Sequence, residues 1–168
     1  TREDSGLLSA IEPQGVPALR AAIVQYLHDF RGITANPDQV VVGAGSEYLI
    51  GILFQLLGRE GGYAVEDPGY LKVSRILAHQ GALVCPIPLD DQGLRVDALR
   101  WSGARVVHVT PSHHYPLGTV MPVGRRRELL SWATEIPERY IIEDDYDSEF
   151  RFSGRPIPAL QSLDGGER

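Results

Sequence analysis

Residues 105–143, RVVHVTPSHHYPLGTVMPVGRRRELLSWATEIPERYIIE, hold a complete unit of architecture in one stretch. Arg105 to Thr110 is a short, largely apolar run that reads as a strand, and a loop rich in histidine, proline and glycine follows it. Pro122 is placed to start a helix from Val123 to Thr134, since a first-turn residue has no intrahelical use for an amide hydrogen. Tyr140 to Glu143 is the next strand. Working outward, the same order recurs upstream. A strand from Tyr63 to Val65 passes through the Glu66-Asp67-Pro68-Gly69 turn into a helix from Tyr70 to His79, and a strand from Leu83 to Ile87 follows. Before that, Val40 to Val42 reads as a strand, Gly43 and Gly45 as a turn, and Ser46 to Leu57 as a buried helix stopping at Gly58. Leu19, Ile23, Leu27 and Phe30 recur at helical spacing between Pro17 and Gly32, which predicts an amphipathic helix from Val16 to Phe30. Short apolar strands alternating with longer helices predict an α/β fold, a three-layer sandwich whose mostly parallel sheet is covered on both faces.

Composition narrows the function classes. The chain has 168 residues, 43% hydrophobic and 23% charged, as expected of one globular domain with a sizeable core. A net charge of -6 opposes counterion-release binding to phosphate backbones, so gripping DNA requires a separate basic domain. A single cysteine, Cys85, forbids an internal disulfide, and no apolar run reaches membrane-span length, which predicts a cytoplasmic protein. Thr1 stands where an initiator methionine is usual, and Asp164 to Arg168 is turn-like, so the chain is expected to be a piece of something longer. Fifteen of its 16 basic residues are arginines, and Lys72 is the only lysine.

In open parallel sheets, ligands gather at the carboxyl ends of the strands, where four motifs begin. VVVGAGSEYLI, residues 40–50, brings glycines to a helix start, where the backbone amides of Gly45, Ser46 and Glu47 suit an anion. The same turn serves equally as a tight corner in any parallel sheet. Glu47 has to point away from such an anion. In AVEDPGYLKVSRIL, residues 64–77, Tyr70 opens a helix and either stacks on a planar ligand or covers the core, while Lys72 reads as a solvated cation. VTPSHHYPLGTVM, residues 109–121, carries His113, His114 and Tyr115 in a loop more polar than a connection needs. Adjacent histidines rarely ligate one ion together, so metal is disfavoured there. YIIEDDYDSEFRF, residues 140–152, runs an apolar strand straight into Glu143, Asp144, Asp145, Tyr146, Asp147 and Glu149. Carboxylates at a buried strand end need cations, hydrogen bonds or a ligand in compensation. A hard-metal site and a solvated acidic turn are the rival readings, and the strand context favours the second less for Asp144 than for Asp147 or Glu149. Arg125-Arg126-Arg127 reads as a solvated helix face paired with nearby carboxylates.

In this order, SHHYPLGTVMP, RRRELLSWA, IIEDDYDSEFRF and GRPIPALQSLD resemble the aminotransferase-like domain of MocR/GabR-type transcriptional regulators of the GntR superfamily. These form a branch of the fold-type-I pyridoxal-phosphate proteins, and the resemblance runs from the Gly15 helix to Asp164. It implies that residues 1–168 are one partial large domain, with a winged-helix DNA-binding domain and a C-terminal small domain outside this chain. It also implies a small amino compound as effector, a homodimer in the full-length protein, and pyridoxal 5'-phosphate as cofactor. By the same resemblance, Gly45, Ser46 and Glu47 supply amides to the cofactor phosphate, Tyr70 stacks on the pyridine, and Asp144 pairs with its nitrogen. Tyr146 donates to the phenolic oxygen, and His113 and Tyr115 line the cleft. Tyr115 stands where ordinary aminotransferases have asparagine, Glu47 replaces a common glutamine, and Lys72 replaces an arginine that contacts substrate in some members. The family's cofactor-bearing lysine lies in a Ser-Lys motif after Leu-Gln-Ser-Leu-Asp, beyond these residues, so no catalytic residue is expected in this chain. The alternative parent is a free-standing class I/II aminotransferase moving amino groups between an amino acid and a 2-oxo acid.

Overall fold

A computed structural model describes residues 12–148 and 158–164. Its helices are α1 (Pro17–Arg31), α2 (Ser46–Leu57), α3 (Leu71–His79), α4 (Val96–Trp101) and α5 (Val123–Glu135). Its strands are β1 (Tyr63–Asp67), β2 (Val84–Asp90), β3 (Gly93–Leu94), β4 (Val106–Val109) and β5 (Tyr140–Glu143). The sheet order is β3-β2-β1-β4-β5, parallel except for the β2–β3 hairpin.

Period-two alternation along the central strands sends side chains to two cores. Tyr63, Val65 and Val106 pack with Ile50 and Phe54 of α2 and Val73 and Leu77 of α3. Ala64, Val107 and Val109 face the other way, onto Leu99 of α4 and Leu129 and Trp132 of α5. Both faces of the sheet are therefore covered, which is why β4 reads as apolar without a break except at His108.

Several expectations are corrected. Val40 is extended, but Val40 to Val42 form no strand among the described residues. The Val42 amide donates to Gln14 O at 2.8 Å, so the run borders a loop rather than a ladder. The helix α2 is buried on one side only: Tyr48, Ile52 and Leu56, four residues apart, are exposed. On α1 the apolar stripe is likewise half open, with Leu19 and Phe30 exposed, and its buried residues are Arg20 and Arg31. Arg20 reaches Glu12, Gln14 and the Pro37 carbonyl.

The arginine run is not a solvated face. Arg125 and Arg126 are buried, leaving Arg127 exposed. The Arg126 guanidinium donates to the carbonyls of Met121, Pro111 and Pro158, joining α5 to the loop before it and to the segment at 158–164. Arg125 donates to Leu94 O and pairs with Asp90, tying α5 to the β2–β3 hairpin.

Candidate functional site

The strand ends and the start of α2 enclose a cleft of about 460 Å³ lined by Ser46, Tyr70, Thr110, Tyr115, Glu143, Asp144, Asp145 and Tyr146. That volume is within the range of about 300–1,000 Å³ usual for small-molecule sites. Of the residues expected from sequence, Ser46, Tyr70, Tyr115, Asp144 and Tyr146 line it together.

Ser46 is the first residue of α2, and Gly45 before it has φ +98 with nothing within 4 Å of where a Cβ would stand. Only glycine adopts that backbone readily, and the result is an open approach to the helix N-terminus. Glu47 turns aside: its carboxylate takes the Lys72 ammonium at 2.8 Å, and neither residue lines the cleft. Lys72, read from sequence as a solvated cation, is thus a paired one. Tyr70, just before α3, meets the Tyr115 ring edge-on at 5.8 Å and 86°. His113 does not line the cleft; it stacks on Tyr146 at 5.6 Å and its Nδ1 lies 2.8 Å from Asp147. Glu149 and residues 150–157 lie outside the described residues.

The carboxylates crowded at the end of β5 each have a compensating partner. Asp145 pairs with buried Arg31 at 2.6 Å. Glu143 accepts the amides of Leu160 and Gln161 at 2.7 and 3.1 Å, while burial pushes its carboxyl above the usual range. Asp144 Oδ2 lies 3.2 Å from Nε2 of His108 on β4. Behind them, buried Glu66 at the end of β1 accepts the Thr110 amide and hydroxyl at 3.1 and 2.8 Å. Burial raises the Glu66 carboxyl, and the Thr110 hydrogen bonds oppose the rise. His114, also buried, has Nε2 3.5 Å from Glu66 Oε2, and burial lowers it. Both shifts favour an uncharged pair.

Sequence reasoning did not single out Thr110, His108 or Glu66 as site residues. A histidine inside an apolar strand and a carboxylate before Asp-Pro-Gly were the available signals. Glu143 and Asp145 were visible in the acidic run, but only Asp144 and Tyr146 were assigned roles.

The raised Glu66 carboxyl has a consequence for stability. The folded chain keeps this proton to higher pH than the unfolded chain, so the group favours folding fully below the unfolded carboxylate range. That contribution is lost as pH rises through the raised value. Glu66→Gln keeps an acceptor for Thr110 and removes the titration. The variant is expected to gain stability relative to the parent between mild acid and neutrality, with no gain in stronger acid. Thermal melts across that range check it; a pH-independent difference would refute the assignment.

The Aminotransferase class I and II family model matches residues 1–150. Among curated proteins, the chain is 43% identical over 150 residues to an uncharacterized HTH-type transcriptional regulator, YdeL, of Bacillus subtilis, covering 89% of this chain. It is 40% identical over 155 residues to the probable rhizopine catabolism regulatory protein MocR of Rhizobium meliloti, covering 92% of this chain. The chain spans about a third of the length of these relatives, 32% and 31%. Among solved structures, an archaeal alanine:glyoxylate aminotransferase superposes with a TM-score of 0.86 at 24% identity, covering 97% of this chain and 42% of that one. The fold is that of part of the large domain of fold-type-I aminotransferases. This chain belongs to the aminotransferase class I and II family. Membership implies pyridoxal phosphate as the cofactor, and several relatives, two of them from Bacillus subtilis at 43% and 40% identity, are named as HTH-type transcriptional regulators. No helix among the described residues is long and apolar enough to cross a membrane.

Proposed function

We propose that this chain is the cofactor- and effector-binding, aminotransferase-like module of a cytoplasmic, pyridoxal-phosphate-dependent bacterial transcriptional regulator. The observation that carries the reading is the convergence of Ser46, Tyr70, Asp144 and Tyr146 on one cleft. The residues fit the group. A twelve-residue helix presents its N-terminus beside a glycine that leaves the approach open, which suits a phosphate. Tyr70, at the cleft wall, offers a flat face for the pyridine.

Pyridoxal phosphate supplies an electrophilic carbonyl on an electron-withdrawing ring. The protein's part is binding and orientation. The Gly45, Ser46 and Glu47 amides would hold the phosphate, while the Glu47 carboxylate is kept off it by Lys72. Asp144 accepts from the protonated ring nitrogen, and its charge favours that protonated form. Tyr146 donates its hydroxyl hydrogen to the ring's phenolic oxygen, and His113, stacked behind it, holds the tyrosine in place. Tyr115 edges Tyr70 and narrows the mouth through which an amino compound enters. In the parent protein, cofactor and effector occupancy passes to a winged-helix DNA-binding domain, and the regulator acts as a homodimer.

Titrating the chain with pyridoxal 5'-phosphate tests this. Binding is expected to be weak and reversible, because Lys72, the only lysine, is paired with Glu47 and does not line the cleft. Asp144→Ala is expected to weaken binding about 10- to 100-fold, the worth of a hydrogen bond to a charged group. Pyridoxal without its phosphate is expected to bind more weakly still. Equal binding of pyridoxal and its phosphate, or indifference to Asp144→Ala, would overturn the reading.

A further inference from the structure

His108 is the single break in the apolar strand β4, and it is 5% exposed. Val106 and Ile142 share the sheet face that packs on α2 and α3. His108 lies two residues beyond Val106, and Asp144 two beyond Ile142, so the pleat returns both to that face. His108 is paired in register with Ile142, and the Asp144 amide donates to Val109 O at 2.9 Å, so the backbones carrying both groups are tied together. The outcome is the 3.2 Å approach of His108 Nε2 to Asp144 Oδ2. A valine here would continue the strand without a buried polar group to satisfy, so the histidine needs another reason.

We propose that His108 is a positioning residue for Asp144: its Nε2–H donates to Oδ2, fixing the carboxylate toward the cleft. This deepens the cofactor-binding reading and rests on it. A donor on one oxygen stabilises the charged carboxylate, so the proton shared with a bound pyridine stays on the ring nitrogen. The carboxylate side chain is about a quarter exposed at 24%, whereas the histidine beneath it is at 6%, so the orienting contact is shielded from water. Glu66 is the buried acid on the neighbouring strand β1; its own hydrogen bonds go to Thr110, leaving the His108 contact to Asp144.

The test uses the 168-residue chain, pyridoxal 5'-phosphate labelled with ¹⁵N in the ring, and the variants Asp144→Ala, His108→Leu and His108→Gln. Circular dichroism verifies that each is folded. His108→Leu is expected to weaken binding on the order of tenfold and to move the ring-nitrogen resonance toward that of unprotonated pyridine. His108→Gln restores a donor and is expected to recover most of both. If Asp144→Ala weakens binding while His108→Leu changes neither affinity nor resonance, His108 only fills the strand and the inference falls alone. If glutamine does no better than leucine, a donor is not what matters and the inference again falls alone. If the parent chain does not bind the labelled cofactor, or Asp144→Ala has no effect, the cofactor reading itself falls and takes the inference with it.

Discussion

Replacing Trp132 with alanine is expected to lower the unfolding free energy by about 3–5 kcal/mol, the usual cost of emptying a fully buried aromatic site. Trp132 is wholly inaccessible on α5 and packs in the core shared with Val107, Val109, Leu99 and Leu129. Its indole nitrogen has no hydrogen-bond partner among the described residues, so the loss is one of volume and contact. One further contribution comes from Arg139, whose guanidinium lies 4.7 Å from the ring centroid while also donating to the Trp132 carbonyl. A domain of ordinary stability has about 5–15 kcal/mol in total, so the variant stands near the limit of folding. Urea unfolding followed by circular dichroism reads the change. Trp101, the other tryptophan, is 91% exposed and provides the control. Its alanine variant should stay within about 0.5 kcal/mol of the parent.

The second large effect is expected from Arg126→Leu, at about 2–4 kcal/mol. The substitution removes donors from three carbonyls, those of Met121, Pro111 and Pro158. Each buried acceptor left without a partner costs about 1–3 kcal/mol. Part of this is offset because burial lowers the Arg126 pKa, a sign that the charge itself is costly to bury, even with Glu143 and Asp145 opposing the shift. Arg126→Lys should recover little, since one ammonium cannot reproduce a planar fork reaching carbonyls from separate segments. Loss of the Met121 and Pro111 anchors should also speed proteolysis within the loop from 111 to 121. An unchanged urea midpoint and cleavage rate in Arg126→Leu would show that these carbonyls find other partners.

Arg126 also marks where sequence reading stops. Three consecutive arginines on a helix look like a solvated stripe, because charge counting cannot see that backbone carbonyls from loops far along the chain converge on one of them. The same blindness hid α4, whose six residues are too few to show a helical period, and β3, whose two residues show no alternation. The alternation of strand and helix was legible because burial on both faces leaves nearly unbroken apolar strands such as Val106 to Val109, interrupted only by His108. Pairing was not legible: Val40 to Val42 have strand composition, yet a strand exists only where a neighbour accepts its hydrogen bonds. Within the cleft, Tyr70 and Asp144 stood out because each follows a strand end or turn. His108 and Glu66 did not, since their meaning lies in what stands across the sheet from them.

One feature of the topology bears on how the cleft behaves in time. Among the described residues, β5 has a hydrogen-bonded neighbour on one side only, β4. The strand that leads into Asp144 is thus paired along one edge, whereas β1, which carries Glu66, is held on both sides by β2 and β4. Local opening is cheapest where fewest backbone bonds must break, so β5 should open more readily than β1. The wall of the cleft that bears Asp144 is consequently its more yielding one, and the wall that bears Glu66 its fixed reference.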